Sequence, residues 1–131
     1  MKKILIVDDN PTNRELLKGL LKDIAQTMDG VDGLDAQTKF EQAIIGDRSP
    51  FDLVLLDLEM PNLNGIEFLK NIRDLEKRHQ LPQTPVIVIT SHKSGYFESI
   101  LEGCNDFLMK PIVRDKLMET VHSYLKNPSS N

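Results

Sequence analysis

The sequence predicts an α/β fold: a five-stranded parallel sheet with helices on both faces. Three observations carry the prediction. Short apolar runs recur at residues 4–7 (ILIV), 53–56 (LVLL) and 85–90 (PVIVIT) without the polar alternation of a half-exposed sheet, so they suit strands buried on both faces. Segments with apolar residues at helical spacing separate them, and strands alternating with helices give a parallel sheet. The 131 residues match one domain large enough to bury its own core.

The elements follow in order. Residues 4–7 form a strand closed by Asp8-Asp9-Asn10-Pro11. Leu16, Leu17, Leu20, Leu21, Ile24 and Met28 then fall at helical spacing, with Thr12 and Glu15 as a capping box. Residues 29–33 (DGVDG) predict a turn, 34–38 a weak second strand and 40–45 a short second helix. A second register puts the strand near 25–28 and the helix from Leu34; the first is preferred because the apolar stripe of helix one continues to Met28. The acidic turn lacks the regularly spaced oxygen ligands and late glutamate of a calcium loop. Residues 53–56 form a strand ending at Asp57, 61–65 a loop, and Ile66, Phe68, Leu69 and Ile72 begin an amphipathic helix running to about Arg78. Residues 85–90 form a fourth strand, 96–102 a short helix, and 106–109 a fifth strand closed by Lys110-Pro111. Leu117, Val121, Tyr124 and Leu125 mark a last helix, and 127–131 a loose tail.

Composition excludes several function classes. With 16 Lys+Arg against 20 Asp+Glu, the chain lacks the basic balance of a phosphate-backbone binder, so no nucleic-acid partner is expected. One cysteine, Cys104, allows no intrachain disulfide and suits a cytoplasmic location. Residues 1–10 lack a signal peptide's apolar core, and no stretch approaches the ~20 apolar residues of a membrane span. His79, His92 and His122 have no metal-ligand companion at i+3 or i+4.

The polar residues carry the chemistry. Each of four strands ends in one or two: Asp8-Asp9, Asp57, Thr90 and Lys110. In an open α/β sheet those ends share one edge, where ligands bind. Singly each is ordinary, a cap, a strand end or a surface lysine; their coincidence on one edge is what points to a site. Three carboxylates there repel at about 4 kcal/mol per pair at 4 Å with an effective dielectric near 20. One lysine does not neutralise them, so either one is protonated or a divalent cation sits among them. Hard oxygen donors favour magnesium, with manganese as an alternative. A magnesium site beside a central carboxylate, a lysine and a hydroxyl suits a phosphoryl group, with Asp57 as nucleophile.

ILIVDDNPTNRELL, FDLVLLDLEMPNLNGIEFLKNIR, PVIVITS and NDFLMKPI each resemble, in the right order, segments of the receiver domain of two-component response regulators, chemotaxis-regulator-like in type. The resemblance covers nearly the whole chain and is weakest over 22–50. It implies a flavodoxin-like (βα)5 fold of strand order 2-1-3-4-5, with Asp57 as phosphoacceptor in a phosphorelay. It implies metal ligation by Asp8, Asp9, Asp57 and the backbone carbonyl of Glu59, and a cis peptide between Lys110 and Pro111. Thr90 and Lys110 would meet the phosphoryl group, and Phe107 would turn into space that Thr90 leaves. The implied donor is a histidine kinase or phosphotransfer protein docking near helix one. The implied output is a protein target on the face of helix four, strand five and helix five. Glu59 and His92 are expected to tune the phosphoryl lifetime.

Two features depart from the chemotaxis type: Asp9 to Asp57 is longer by about a helical turn, and Thr90 to Lys110 slightly shorter. Residues 1–126 are expected to be the receiver, with no output domain after them and Met1 favouring a natural start; an excised part of a hybrid kinase is the alternative. Two other functions are weighed. A magnesium phosphohydrolase would use Asp57 as nucleophile and Glu59 as acid, but such enzymes carry the nucleophile on the first strand. A phosphorylation-independent interaction module would be expected to have lost part of the acidic set, Thr90 or Lys110. A non-enzymatic phosphoacceptor is therefore expected.

Overall fold

The computed structural model describes residues 1–59 and 65–125. Of the expected loop at 61–65, residues 61–64 lie outside them and Gly65 is the first residue of the third helix; the tail at 127–131 also lies outside them. Five parallel strands form one sheet: β1 (Lys2–Val7), β2 (Ala25–Gly30), β3 (Leu53–Asp57), β4 (Val86–Thr90) and β5 (Asp106–Met109), in the order β2-β1-β3-β4-β5. Helices α1 (Pro11–Leu21), α2 (Gly33–Glu41), α3 (Gly65–Arg78), α4 (Lys93–Leu101) and α5 (Arg114–Leu125) connect the strands and complete the fold, and α2 runs on into a π-helical turn, Gln42–Gly46.

Strand pleat sends alternate side chains of the central strands to opposite faces. Leu5, Val7, Val54, Leu56, Val86 and Val88 pack with Phe40 of α2 and Phe68, Leu69 and Ile72 of α3. Ile4, Ile6, Leu53, Leu55, Ile87 and Ile89 pack with Leu17 and Leu21 of α1 and Leu117 and Val121 of α5. Two apolar layers thus clamp the sheet, and β3 and β4 are buried along their whole length.

The preferred register over 22–50 is overturned. The second strand is Ala25–Gly30, paired with β1 from Lys2 opposite Ala25 to Val7 opposite Gly30. Residues 34–38 lie inside α2, and Leu34 is 78% exposed. The first helix ends at Leu21, and Met28, the supposed end of its stripe, is a half-exposed strand residue. Capping decides where α2 begins: the Asp32 carboxylate accepts from the Asp35 backbone N–H at 2.7 Å, and Asp35 accepts from that of Val31 at 2.9 Å. So the acidic DGVDG stretch is the end of a strand followed by a helix cap. Gly30 is required by close approach, since a Cβ there would stand 2.8 Å from that of Ala36. The fourth helix begins at Lys93, three residues earlier than expected.

The start of α1 is corrected too. Its cap is Asn10, whose side-chain oxygen accepts from the backbone N–H groups of Thr12 at 2.8 Å and Asn13 at 3.2 Å; Thr12 already lies inside the helix. Asn10→Ala is therefore expected to cost about 1 kcal/mol in urea unfolding, and Thr12→Ala much less. The reverse order would restore Thr12 as the cap.

Candidate functional site

Parallel register brings the strand ends together. Val7 pairs with Leu56, Asp57 with Ile89, and Thr90 with Met109. One step beyond β1 stands Asp8, level with Asp57, and one step beyond β5 stands Lys110, level with Ser91 just past Thr90. The chain is committed to this edge by backbone bonds: Asp8 N–H donates to the Gly30 carbonyl at 3.0 Å, and Lys110 N–H to that of Thr90 at 3.0 Å.

Asp57 is the centre. It is 2% exposed, and its two carboxylate oxygens have different partners. Oδ1 accepts from the Glu59 backbone N–H at 2.7 Å, and Oδ2 from Lys110 Nζ at 2.9 Å. Asp8, also buried, accepts from the Asn10 backbone N–H at 2.9 Å. Burial pushes the Asp8 carboxyl up to about 6; the Asn10 N–H opposes this, and the neighbouring Asp57 charge adds to it. Arg14, from α1, holds the Asp8 carbonyl at 2.6 Å and Asp29 at 3.1 Å, fixing the β1 end against β2.

Glu59 brings a further acid to the lysine. Its carboxylate accepts from Thr90 Oγ1 at 3.2 Å, from Ser91 Oγ at 3.0 Å and from the Ser91 backbone N–H, and pairs with Lys110 Nζ at 3.2 Å. Partial burial works against its charge, but the two Ser91 donors and Lys110 outweigh it and hold the carboxyl at about 2. For Lys110, burial would lower the pKa; Asp57 and then Glu59 outweigh it and keep the ammonium above its ordinary value.

The expected residues are not all brought together. Asp8, Asp57, Thr90 and Lys110 converge, and the Lys110–Pro111 peptide is cis. Among the described residues, however, no three His, Cys, Asp or Glu side chains form a metal-binding group. Asp8 and Asp57 meet; Asp9, half-buried one residue on, does not complete a cluster. The premise that a lone lysine faces three strand-end carboxylates therefore needs correction: Lys110 is shared by Asp57 and Glu59. Buried carboxylate oxygens remain a donor set that fits a hard divalent cation. Phe107 stacks on Tyr96 of α4, with ring centroids 4.1 Å apart. His92 is exposed, and its backbone meets Thr90: its N–H donates to Oγ1 at 3.1 Å, and its carbonyl accepts from it at 3.3 Å.

Ser91 was missed by sequence reasoning. The available signal was its place one residue past β4, beside an acid two residues past the adjacent β3.

The chain has counterparts among known proteins. The family model of the response regulator receiver domain matches residues 4–122. The histidine-protein kinase BarA of Escherichia coli is 39% identical over 92% of this chain, which covers 12% of BarA. The chemotaxis protein CheY-3 of Vibrio cholerae is 38% identical over 89% of this chain and 86% of its own. The solved receiver domain of the sensor histidine kinase PA1611 from Pseudomonas aeruginosa, with magnesium coordinated in its active-site cleft, superposes with a TM-score of 0.79 at 26% identity, covering 96% of this chain and 98% of that one. The chain thus spans a small part of a kinase relative and most of a chemotaxis relative.

Proposed function

Because the chain belongs to the response regulator receiver domain family, we propose that it accepts a phosphoryl group on the Asp57 carboxylate from a histidine kinase or phosphotransfer protein and signals through altered protein contacts. The observation that carries this reading is the buried Asp57 carboxylate at the centre of the strand edge, with Lys110 Nζ at 2.9 Å.

An Asp57 oxygen attacks the phosphorus of the donor's phosphohistidine. The new O–P bond forms as the N–P bond breaks, and its electron pair stays on the imidazole nitrogen. Lys110, kept charged by its acidic neighbours, meets the phosphoryl oxygens, and Thr90 offers its hydroxyl. Asp8, Asp9, Asp57 and the Glu59 backbone carbonyl would hold a magnesium ion, or manganese in its place, which when bound supplies positive charge against those oxygens. Asp8 and Asp57 are the best supported of these ligands, and the magnesium in the PA1611 cleft supports the choice of metal.

Modification replaces one carboxylate charge with a more highly charged group carrying further acceptors. Thr90 then moves toward it, and Phe107, stacked on Tyr96 and packed against the core, is the aromatic group that responds. The face it adjoins presents Phe97, Ile100 and Leu101 of α4 with Met109 and Val113, all exposed, which suits a protein target. Docking of the donor is assigned to α1, where Leu16 is exposed. Among the described residues no helix is long and apolar enough to cross a membrane, and a cytoplasmic location fits the single unpaired cysteine.

The test is transfer from phosphorylated histidine donors beside an assay with small phosphomonoesters. The expected result is one phosphoryl group per chain and no sustained hydrolysis. Repeated turnover of phosphomonoesters would overturn the reading in favour of a phosphohydrolase, and absence of any transfer in favour of an interaction module.

A further inference from the structure

We propose that Glu59 is a built-in anion that occupies the phosphoryl-binding donors of the free chain and must be displaced when Asp57 is modified. The inference rests on the phosphoacceptor reading and concerns how that site is regulated. Four donors converge on the Glu59 carboxylate: Ser91 Oγ at 3.0 Å, the Ser91 backbone N–H, Lys110 Nζ at 3.2 Å, and Thr90 Oγ1 at 3.2 Å, whose one proton is shared with the His92 carbonyl at 3.3 Å. Two of them, Thr90 and Lys110, are the groups assigned to the phosphoryl oxygens. Lys110 is the direct link, because the same ammonium binds Asp57 Oδ2 at 2.9 Å. An anion attached to Asp57 would therefore enter space bounded by the donors that Glu59 uses.

Glu59 and such an anion exclude one another on two grounds. The two Ser91 protons each make one good bond, so the phosphoryl oxygens and the Glu59 oxygens compete for them, while Lys110, with three protons, is contested by charge and space more than by proton count. Two anions held around one lysine also repel at short range. Glu59 has somewhere to go: its side chain is 30% exposed at the rim, whereas Asp57 is buried. Release into water costs it the charge-assisted bonds but leaves no buried charge behind. The arrangement is thus a competitor of finite strength, and it sets a threshold for modification. Ser91 becomes part of the anion-binding machinery, supplying two of the four donors.

The experiment compares the native chain with Glu59→Ala by titrating each with fluoroberyllate, a phosphoryl mimic, in magnesium chloride and following backbone amides by NMR. Glu59→Ala is expected to bind the mimic roughly tenfold more tightly or better, equivalent to one charge-assisted hydrogen bond no longer broken beforehand. The Ser91 amide distinguishes displacement from a general gain in positive potential. In the free native chain it should resonate as a strongly hydrogen-bonded amide. In free Glu59→Ala it should lose that shift, and it should regain it on binding. Ser91→Ala should weaken binding several-fold in the Glu59→Ala background and much less in the native one, where it weakens both competitors. Equal affinities, or a Ser91 amide unchanged by Glu59→Ala, would overturn the role of Glu59 while leaving the phosphoacceptor reading intact. Failure of both chains to bind would overturn both.

Discussion

Asp57→Asn is expected to reduce phosphoryl acceptance to background while leaving the domain folded. The substitution keeps the size and planarity of the side chain, and its oxygen can still accept from the Glu59 N–H that binds Oδ1. What it removes is the nucleophile, since an amide does not form the mixed anhydride that a carboxylate does. Among the described residues, the two acids that adjoin Asp57 and Lys110 are otherwise engaged. Asp8 is buried and tied to the Asn10 N–H, while Glu59 is engaged by Ser91 and Lys110. The cost in stability is small because two effects oppose: Lys110 loses one partner but retains Glu59, and Asp8 is relieved of a neighbouring negative charge. Circular dichroism and thermal unfolding should therefore resemble the native chain's. Retention of phosphate by Asp57→Asn would place the acceptor elsewhere.

The largest loss of stability is expected far from the site, from Glu76→Ala. Glu76 lies in α3, 2% exposed, a rare position for a carboxylate. Oε1 pairs with Arg73 Nη1 at 2.7 Å, and Oε2 accepts from the Thr84 backbone N–H at 2.6 Å. Arg73 reaches on to the Gly103 carbonyl through Nε at 3.0 Å and Nη2 at 2.8 Å, and to Asn105 Oδ1 at 3.2 Å. Asn105 Oδ1 in turn accepts from the Val86 N–H at 2.9 Å. One network therefore ties α3 to the start of β4 and to the turn before β5. Gly103 suits the turn because its φ of 96° is left-handed, and a Cβ there would stand 3.0 Å from Arg73 Nε. Deleting the Glu76 carboxylate leaves the mostly buried Arg73 charge without its anion, held only by the Gly103 and Asn105 oxygens, and orphans the buried Thr84 N–H. The expected cost is about 3–5 kcal/mol, a large share of the ~5–15 kcal/mol that holds a typical domain. In melting temperature this is a fall of roughly 10–20 °C. Glu76→Gln, which can still accept from Thr84, should cost less. A loss under about 1 kcal/mol for Glu76→Ala would show that Arg73 finds other partners or water.

How much of this was visible beforehand depended on which elements are buried on both faces. β1, β3 and β4 announce themselves because LIV-rich runs have no other purpose in a chain this size. β2 does not. As an edge strand it pairs only with β1 and buries only Ala25 and Gly30, so its sequence AQTMDG carries no apolar run. Met28 then falls in phase with the α1 stripe although it faces outward, and that coincidence moved the expected helix too far. The cap at Asp32 was the better signal, since it marks a helix start through a side-chain bond that periodicity does not weigh.

The site divides the same way. Asp8, Asp57, Thr90 and Lys110 were legible because polar residues ending apolar strands have a place fixed by topology. Glu59 was expected to act on the site, but its partners were not resolved, nor was the place of the Asp9 carboxylate, because topology places a backbone and not a rotamer. Both acids lie just past a strand end; Glu59 turns inward to Ser91 and Lys110, and Asp9 does not complete the cluster expected around Asp57. The pairing of Phe107 with Tyr96 was hidden for the same reason: Tyr96 was expected in the helix, but which neighbour its ring meets is a matter of side-chain placement.

The most direct measurement is intact and peptide-level mass spectrometry of the native chain after exposure to acetyl phosphate, with magnesium and with its chelator. The account predicts a gain of one phosphoryl group, confined to Asp57 and requiring the metal. A group found on another residue, or one gained equally without a divalent cation, would contradict it.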